Sequence, residues 1–170
     1  DPRRITHRTR EAVPANIKVV EAINPTTFAK SRKTEAEREY VRQTMEQDGA
    51  AMAEFYAWFE QAQGRERITE VTIDEKLTAA RARRPGFVSR SFATIAGFKA
   101  NGALNHYLAE AASAAVIEVD GLLLIDSGGQ YLGGTTDITR VWPIGNRANI
   151  SAKQKRDYTL VLKGTIALSV

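Results

Sequence analysis

The chain has no cysteine, and its 170 residues include only two histidines and two methionines. Without thiols there is no disulfide scaffold, no thiolate zinc site and no cysteine nucleophile, and the cytosol is the default compartment. No run of about 18 apolar residues occurs, so no membrane-spanning helix and no membrane partner are expected. The N-terminus, Asp1-Pro2-Arg3-Arg4, lacks the apolar stretch of a secretory signal. A phosphate loop of the G-x-x-x-x-G-K-[ST] type and a serine-nucleophile G-x-S-x-G motif are both missing. What is present is ordinary globular material, 43% hydrophobic and 26% charged, which excludes a disordered or collagen-like chain. The length suits one domain with a real core.

Charge is unevenly placed. Residues 138–170 carry Arg140, Arg147, Lys153, Lys155, Arg156 and Lys163 against the single acid Asp157. Removing these six bases and one acid from the chain totals of 24 and 20 leaves 18 and 19, so the net +4 belongs to the last fifth of the chain. A nucleic-acid binder more often shows a basic stripe with interleaved aromatics, and no nucleic-acid partner is expected. The basic end predicts an acidic partner segment outside this sequence.

Residues 1–33 read as a lead-in. Pro2, Pro14 and Pro25 surround a β-like run, Ile17-Lys18-Val19-Val20, expected to add an edge strand or to tether another domain. A long helix follows. Thr34 and Glu37 have capping-box spacing, Val41, Met45, Met52, Phe55, Phe59 and Ala62 recur as one buried face, and Gly64 closes it. That stripe is assigned to core packing rather than to a cofactor groove. Gly49 fills its one gap and predicts close approach of another element. A second helix is expected from Thr72, with Glu75 at the capping-box position, through Leu77 and Ala80 to Pro85-Gly86. Arg81, Arg83 and Arg84 at its end complement the helix dipole on a solvated face.

After Phe87 the pattern becomes β. Residues 92–98 are apolar and half alternating, and 99–102 form a turn in which Asn101-Gly102 supplies positive φ. Residues 114–119 and 122–125 flank Asp120-Gly121 as a two-residue hairpin, and 137–142 form another strand ended by Pro143 and Gly145. A last helix begins near Ser151, with Gln154 at capping-box spacing, and carries Tyr158, Leu162, Ile166 and Val170 on one side. The order predicts an α+β fold, a long helix packed on an antiparallel sheet.

The stretch that bears chemistry runs from Asp126-Ser127-Gly128-Gly129 to Gly133-Gly134-Thr135-Thr136-Asp137-Ile138-Thr139-Arg140. Asp126 ends one strand and Asp137 opens the next, eleven residues on, and a glycine-rich fold-back would bring both carboxylates to one spot. Two such groups repel and raise one pKa unless a cation holds them. Oxygen donors select manganese, magnesium or cobalt. Thr135 and Thr139 share a strand face with Asp137, so either hydroxyl can brace the site. Spacing alone leaves open a plainer role for both aspartates as turn caps. His106, the one histidine outside the lead-in, follows the 99–102 turn and by itself reads more readily as a surface residue than as a catalyst.

Four segments together resemble, in order, the motifs of the Xaa-Pro aminopeptidase (aminopeptidase P) family of pita-bread metallopeptidases. They are Ser91-Phe92-Ala93-Thr94-Ile95-Ala96-Gly97, Asn101 to Tyr107, Leu124-Ile125-Asp126-Ser127-Gly128 and Thr135-Thr136-Asp137-Ile138-Thr139-Arg140. The resemblance covers residues 34–170 and implies the N-terminal half of a pita-bread (creatinase/aminopeptidase-like) catalytic domain, with 1–33 leading in from a preceding N-terminal domain. It implies that Asp126 holds one of two divalent metal ions, usually manganese, and that Asp137 bridges both. By the same resemblance His106 is the catalytic histidine that binds substrate and stabilises the reacting carbonyl. The ions activate a water that attacks the bond joining an N-terminal residue to a following proline, so the implied partner is a peptide with proline second.

Such enzymes complete the site with one histidine and two glutamates downstream of the second aspartate. After Asp137 this chain has neither residue type, so it is expected to be a fragment, with weak metal binding and little peptidase activity alone. Gly133 stands where many members carry an acid that is not a ligand. The alternative function is a non-catalytic binding or assembly module on the same fold. A creatinase-like hydrolase is disfavoured because it does not need the paired aspartates. The unfinished apolar stripe of the last helix predicts association, as a homo-oligomer or an aggregate, unless the missing half is supplied.

Overall fold

Side-chain caps set most of the helix starts. The computed structural model describes residues 1–118 and 120–169, in two compact units, Asp1–Glu39 and the chain from Tyr40 onward. In the first unit Thr6 caps α1 (His7–Glu11), and Asn24 caps α2 (Pro25–Lys30), which has proline in its first turn. The run 17–20 forms no strand and is exposed throughout. Strand propensity becomes a strand only where a partner edge is offered.

Helix α3 (Glu35–Ala62) opens with the expected box: Glu37 N donates to Thr34 Oγ1 at 3.3 Å, and Thr34 N donates to the Glu37 carboxylate at 2.7 Å. Its buried face is Thr44, Asp48, Ala51, Met52, Phe55, Phe59 and Ala62. The expectation fails in the first half, where Met45 is exposed and polar Thr44 and Asp48 point inward. Gly49 makes no close approach either, since nothing lies within 4 Å of where its Cβ would stand. Gly64, at φ 73°, follows the helix in the left-handed conformation.

Helix α4 (Glu70–Ala82) begins two residues before Thr72. Thr69 is the cap, and Thr72 closes the box in place of an acid, accepting from Thr69 N at 3.2 Å. Arg81 is not on a solvated face but fully buried. Its Nε donates to Asp48 Oδ1 at 2.7 Å and its Nη2 to Oδ2 at 3.1 Å. Tyr131 Oη donates to the same Asp48 Oδ1 at 2.9 Å. Arg83 and Arg84 pair with Glu54. Specific carboxylates across the helix pair outweigh the weak preference for a basic last turn.

Among the described residues six strands form two antiparallel sheets. β1 (Phe87–Arg90), β4 (Gly129–Tyr131) and β5 (Gly134–Thr135) run in the order β1-β4-β5. β2 (Ile95–Phe98), β3 (Gly121–Ser127) and β6 (Ile138–Ile144) run in the order β2-β3-β6. The hairpin expected across Asp120-Gly121 does not form, because β3 pairs with β2 and β6 instead. Residues 114–118 give one isolated bridge, Val116 to Thr69, and Val119 lies outside the described residues. Asp120 instead accepts from Asn146 N at 2.7 Å and from Asn149 Nδ2.

The 99–102 turn is a short 3-10 helix, Lys99–Ala103, and its left-handed residue is Lys99 (φ 53°), not Asn101 or Gly102. Glycine is needed there for closeness: a Cβ on Gly97 would lie 2.6 Å from Gly102 Cα. Pro143 sits inside β6 rather than ending it. β6 is an edge strand, where a missing N–H is tolerated.

Phe55 and Phe59 of α3, Ile73 and Leu77 of α4, Ala96 and Phe98 of β2, Leu123 and Ile125 of β3 and Ile144 of β6 share one core. The architecture is therefore α+β, with the long helix on the antiparallel sheet. Burial alternates along β3, so Leu123, Ile125 and Ser127 face inward while Leu122, Leu124 and Asp126 take the outer face. Helix α5 (Ala152–Leu168) has the expected Ser151–Gln154 box and buries none of its described residues. Tyr158, Leu162 and Ile166 are exposed, and Val170 lies outside the described residues. Among the described residues no helix is long and apolar enough to cross a membrane.

Candidate metal centre

The fold-back between the two aspartates is a register-true ladder. Asp126 on β3 stands opposite Thr139 on β6, and Ser127 opposite Ile138. Ile95 of β2 flanks Asp126 on its other side. Directly opposed residues share a face, so Ile95, Asp126 and Thr139 form a row on the outer surface. Thr139 Oγ1 donates to Asp126 Oδ1 at 2.8 Å. Asp137 precedes β6 by one residue, and its carboxyl lies within hydrogen-bonding reach of Asp126. Partial loss of hydration, then the charge of Asp126, then the shared hydrogen bond raise the Asp137 carboxyl above its ordinary value. Two acids held this close repel, and one of them binds its proton more tightly.

A backbone latch holds the pair at this spacing. Gly129 N donates to Thr136 Oγ1 at 2.8 Å, and Thr136 N to Gly129 O at 2.9 Å. Ser91 Oγ donates to Thr136 O at 3.0 Å, and Ser91 N to Gly128 O at 3.1 Å. A Cβ on Gly128 would overlap the Thr136 carbonyl, so only glycine permits the crossing. The sequence assigns no role to buried Thr136, although its place beside Asp137 in a glycine-rich hairpin is a usable signal. Thr135 is turned elsewhere, its hydroxyl donating to Gln130 Oε1 at 2.7 Å.

His106 sits on a separate loop, exposed, in the left-handed region at φ 57°. That loop is gathered onto buried Glu70, whose carboxylate accepts from Phe98 N, Asn101 Nδ2, Tyr107 Oη and Ala115 N. Burial, with the hydrogen bond to Glu70 and its charge, pushes the Tyr107 phenol up to about 12. Nothing in the sequence marks Glu70, which lies before the helix start expected at Thr72 and whose partners stand far along the chain.

The structure thus unites Asp126, Asp137 and Thr139, and carries His106 and Thr135 on other segments. Among the described residues no group of three or more His, Cys, Asp or Glu is placed to hold a metal. The pair fits a hard divalent ion in donor chemistry, two carboxylates whose mutual repulsion a cation relieves, but it supplies only part of a coordination shell.

Helices on one face of an antiparallel sheet, with paired aspartates on its opposite face, define part of a pita-bread metallopeptidase domain. The X-prolyl aminopeptidase of Caenorhabditis elegans, described as a cytosolic enzyme with a di-nuclear active site, matches with a TM-score of 0.68 at 30% identity. That match covers 72% of this chain and 20% of the worm enzyme. The prolidase of Pyrococcus furiosus matches with a TM-score of 0.63 at 28% identity, over 81% of this chain and 38% of that one. In sequence, residues 39–169 match metallopeptidase family M24, and the chain belongs to that family. The probable Xaa-Pro aminopeptidase P of Arthroderma benhamiae is 44% identical over 152 residues, which are 88% of this chain and 21% of that protein. The chain spans between a fifth and a quarter of the length of such relatives.

Proposed function

We propose that this chain is the N-terminal half (34–170) of the catalytic domain of a metal-dependent aminopeptidase, with 1–33 leading in from a preceding domain. The enzyme releases an N-terminal residue that precedes proline. The observation that supports this is the convergence of Asp126 and Asp137 at one end of the β3–β6 ladder in a member of an M24 family. In this reading Asp126 and Asp137 hold two divalent ions, Mn2+ first among them. Such ions supply Lewis acidity and a water acidic enough to ionise near neutral pH.

The chain's own residues do the positioning. Thr139 fixes the orientation of Asp126 by its hydrogen bond, and the Gly129–Thr136 latch keeps Asp137 at a set distance. His106 binds the substrate and donates towards its carbonyl oxygen. Thr135 braces the hairpin from its outer strand, through Gln130. Two carboxylates leave most coordination positions to other groups, so turnover belongs to the whole protein rather than to this chain alone. The compartment proposed is the cytosol, and the exposed apolar residues of α5 favour self-association of the isolated chain.

The test is hydrolysis of Xaa-Pro peptides by the full-length gene product loaded with Mn2+, beside calorimetric titration of Mn2+ into the chain alone. Turnover that is lost in Asp126→Asn and Asp137→Asn is the expected result, with weak Mn2+ binding by the chain. Tight binding of two ions by the chain would refute the incomplete site. A full-length protein that binds such peptides without cleaving them would establish the binding-module alternative.

A further inference from the structure

We propose that Glu70 is a positioning residue for His106: a single buried carboxylate that cinches the loop 98–115 and so holds the histidine's turn in place. This rests on the reading of His106 as the substrate-binding histidine.

Glu70, the first residue of α4, is 0% exposed. Burying a carboxylate is costly unless its oxygens are saturated with donors. Here they are. Oε1 accepts from Phe98 N at 2.7 Å and Asn101 Nδ2 at 3.1 Å. Oε2 accepts from Tyr107 Oη at 2.8 Å, Ala115 N at 2.9 Å and Asn101 Nδ2 at 3.1 Å. Glu70 N completes the clamp by donating to Ala115 O at 3.2 Å. The donors are the end of β2, the 3-10 helix, the residue after His106 and the returning segment, so one side chain ties four points of one loop.

His106 stands between two of those points. Tyr107 N donates to Leu104 O at 3.3 Å and closes a turn whose third residue is His106, at φ 57°. Glycine or asparagine is usual at such a position, and a residue with a longer side chain stays there only when its surroundings over-determine it. Asn101 Nδ2 also donates to Tyr107 Oη at 3.0 Å, so both flanks of the turn lock to each other as well as to Glu70. The carboxylate therefore sets the direction of an exposed imidazole that it does not touch. Glutamine at 70 would face its amide N–H against donors already pointed at it, and the turn would be released.

The experiment uses the full-length gene product loaded with Mn2+ and the variants Glu70→Gln, His106→Ala and their double. We expect Glu70→Gln to lower kcat/KM on an Xaa-Pro peptide by about 10- to 100-fold, as misplacement of a reacting group does, with metal content unchanged. We expect the double variant to be no slower than His106→Ala alone, and amide exchange to rise in 99–115 while β3 and β6 stay protected. Additive losses, or a Glu70→Gln enzyme with parental kinetics, overturn the proposal. A His106→Ala enzyme with parental kinetics overturns the histidine's role instead, and the exchange measurement then decides Glu70's hold on the loop by itself. Should Glu70→Gln fail to fold, Tyr107→Phe removes one hydroxyl contact and takes its place. Its expected loss is about 2- to 10-fold, again absent in the His106→Ala background.

Discussion

Gly128→Ala adds one methyl group where β3 turns into β4. Its Cβ would overlap the Thr136 carbonyl oxygen and the Ser91 hydroxyl and stand 2.8 Å from the Thr136 carbonyl carbon. Non-bonded carbons settle at about 3.5–4.0 Å, so the two backbones must part by roughly 1 Å. Gly128 is two residues from Asp126, and Thr136 is bonded to Asp137, so the same displacement separates the carboxylates. Overpacking of this kind costs about 1–3 kcal/mol. The bonds most exposed to it are those between Gly129 and Thr136, at 2.8 and 2.9 Å.

Gly49→Ala is the matched control. Gly49 lies on the exposed side of α3 with nothing within 4 Å of a Cβ, and alanine in a helix interior gains about 0.5–1 kcal/mol over glycine. One methyl group is added in each case, and the signs are opposite. Urea midpoints of the chain should move down for Gly128→Ala and up for Gly49→Ala, at constant m. In the full-length protein Gly128→Ala should also weaken Mn2+ binding and cut kcat/KM by about 100-fold, while Gly49→Ala leaves both unchanged. A Gly128→Ala protein with parental midpoint and parental Mn2+ affinity would refute the claim that this crossing sets the carboxylate spacing.

Three further outcomes are expected. Arg81→Met alone strands the fully buried Asp48 carboxylate and should cost about 3–5 kcal/mol in urea unfolding. Asp48→Leu/Arg81→Met/Tyr131→Phe should recover most of that loss, and additive losses would contradict the reading. The raised Asp137 carboxyl binds its proton more tightly in the fold than in the unfolded chain, so its contribution to stability is full below the ordinary carboxylate range and fades as pH rises through the raised value. Burial causes part of that decline and the charge of Asp126 the rest, so Asp126→Asn should flatten it in part, and an unchanged slope would deny the coupling of the two acids. Leu162 and Ile166 on the apolar stripe of α5 are 45% and 56% exposed, so Leu162→Lys/Ile166→Lys should shift sedimentation of the chain towards monomer. A parent chain that is already monomeric at high concentration would count against association through that face.

What was legible in the sequence follows the range of the interactions involved. The Thr34 and Ser151 caps, the Met52–Phe59 part of the stripe, Gly64 and the Asp126–Asp137 fold-back depend on neighbours a few residues away or on one hairpin register. The roles of Arg81 and Glu70 are not legible, because their partners stand 28 to 45 residues off, where no periodicity points. The same cause undid the hairpin at Asp120-Gly121. Its turn chemistry is sound, but β2 and β6 supply better edges for β3 than residues 114–118 do. Met45 and Thr44 exchanged places because a stripe counted on apolar residues alone cannot anticipate Asp48, which points inward to meet Arg81.

The two parts of the proposed site are therefore anchored by different physics. Asp126 and Asp137 belong to twelve consecutive residues, and a backbone latch with one threonine hydroxyl holds their repulsion in place before any cation arrives. A divalent ion held there would relieve the repulsion and displace the proton that Asp137 binds more tightly, so metal affinity of the pair should rise with pH. His106 has no comparable local frame, and its turn is held through Glu70 from another helix. Damage to the latch should accordingly appear first in metal binding, and damage to Glu70 first in turnover at unchanged metal content. A variant at either place that impaired both in equal measure would mean that the two anchors are one.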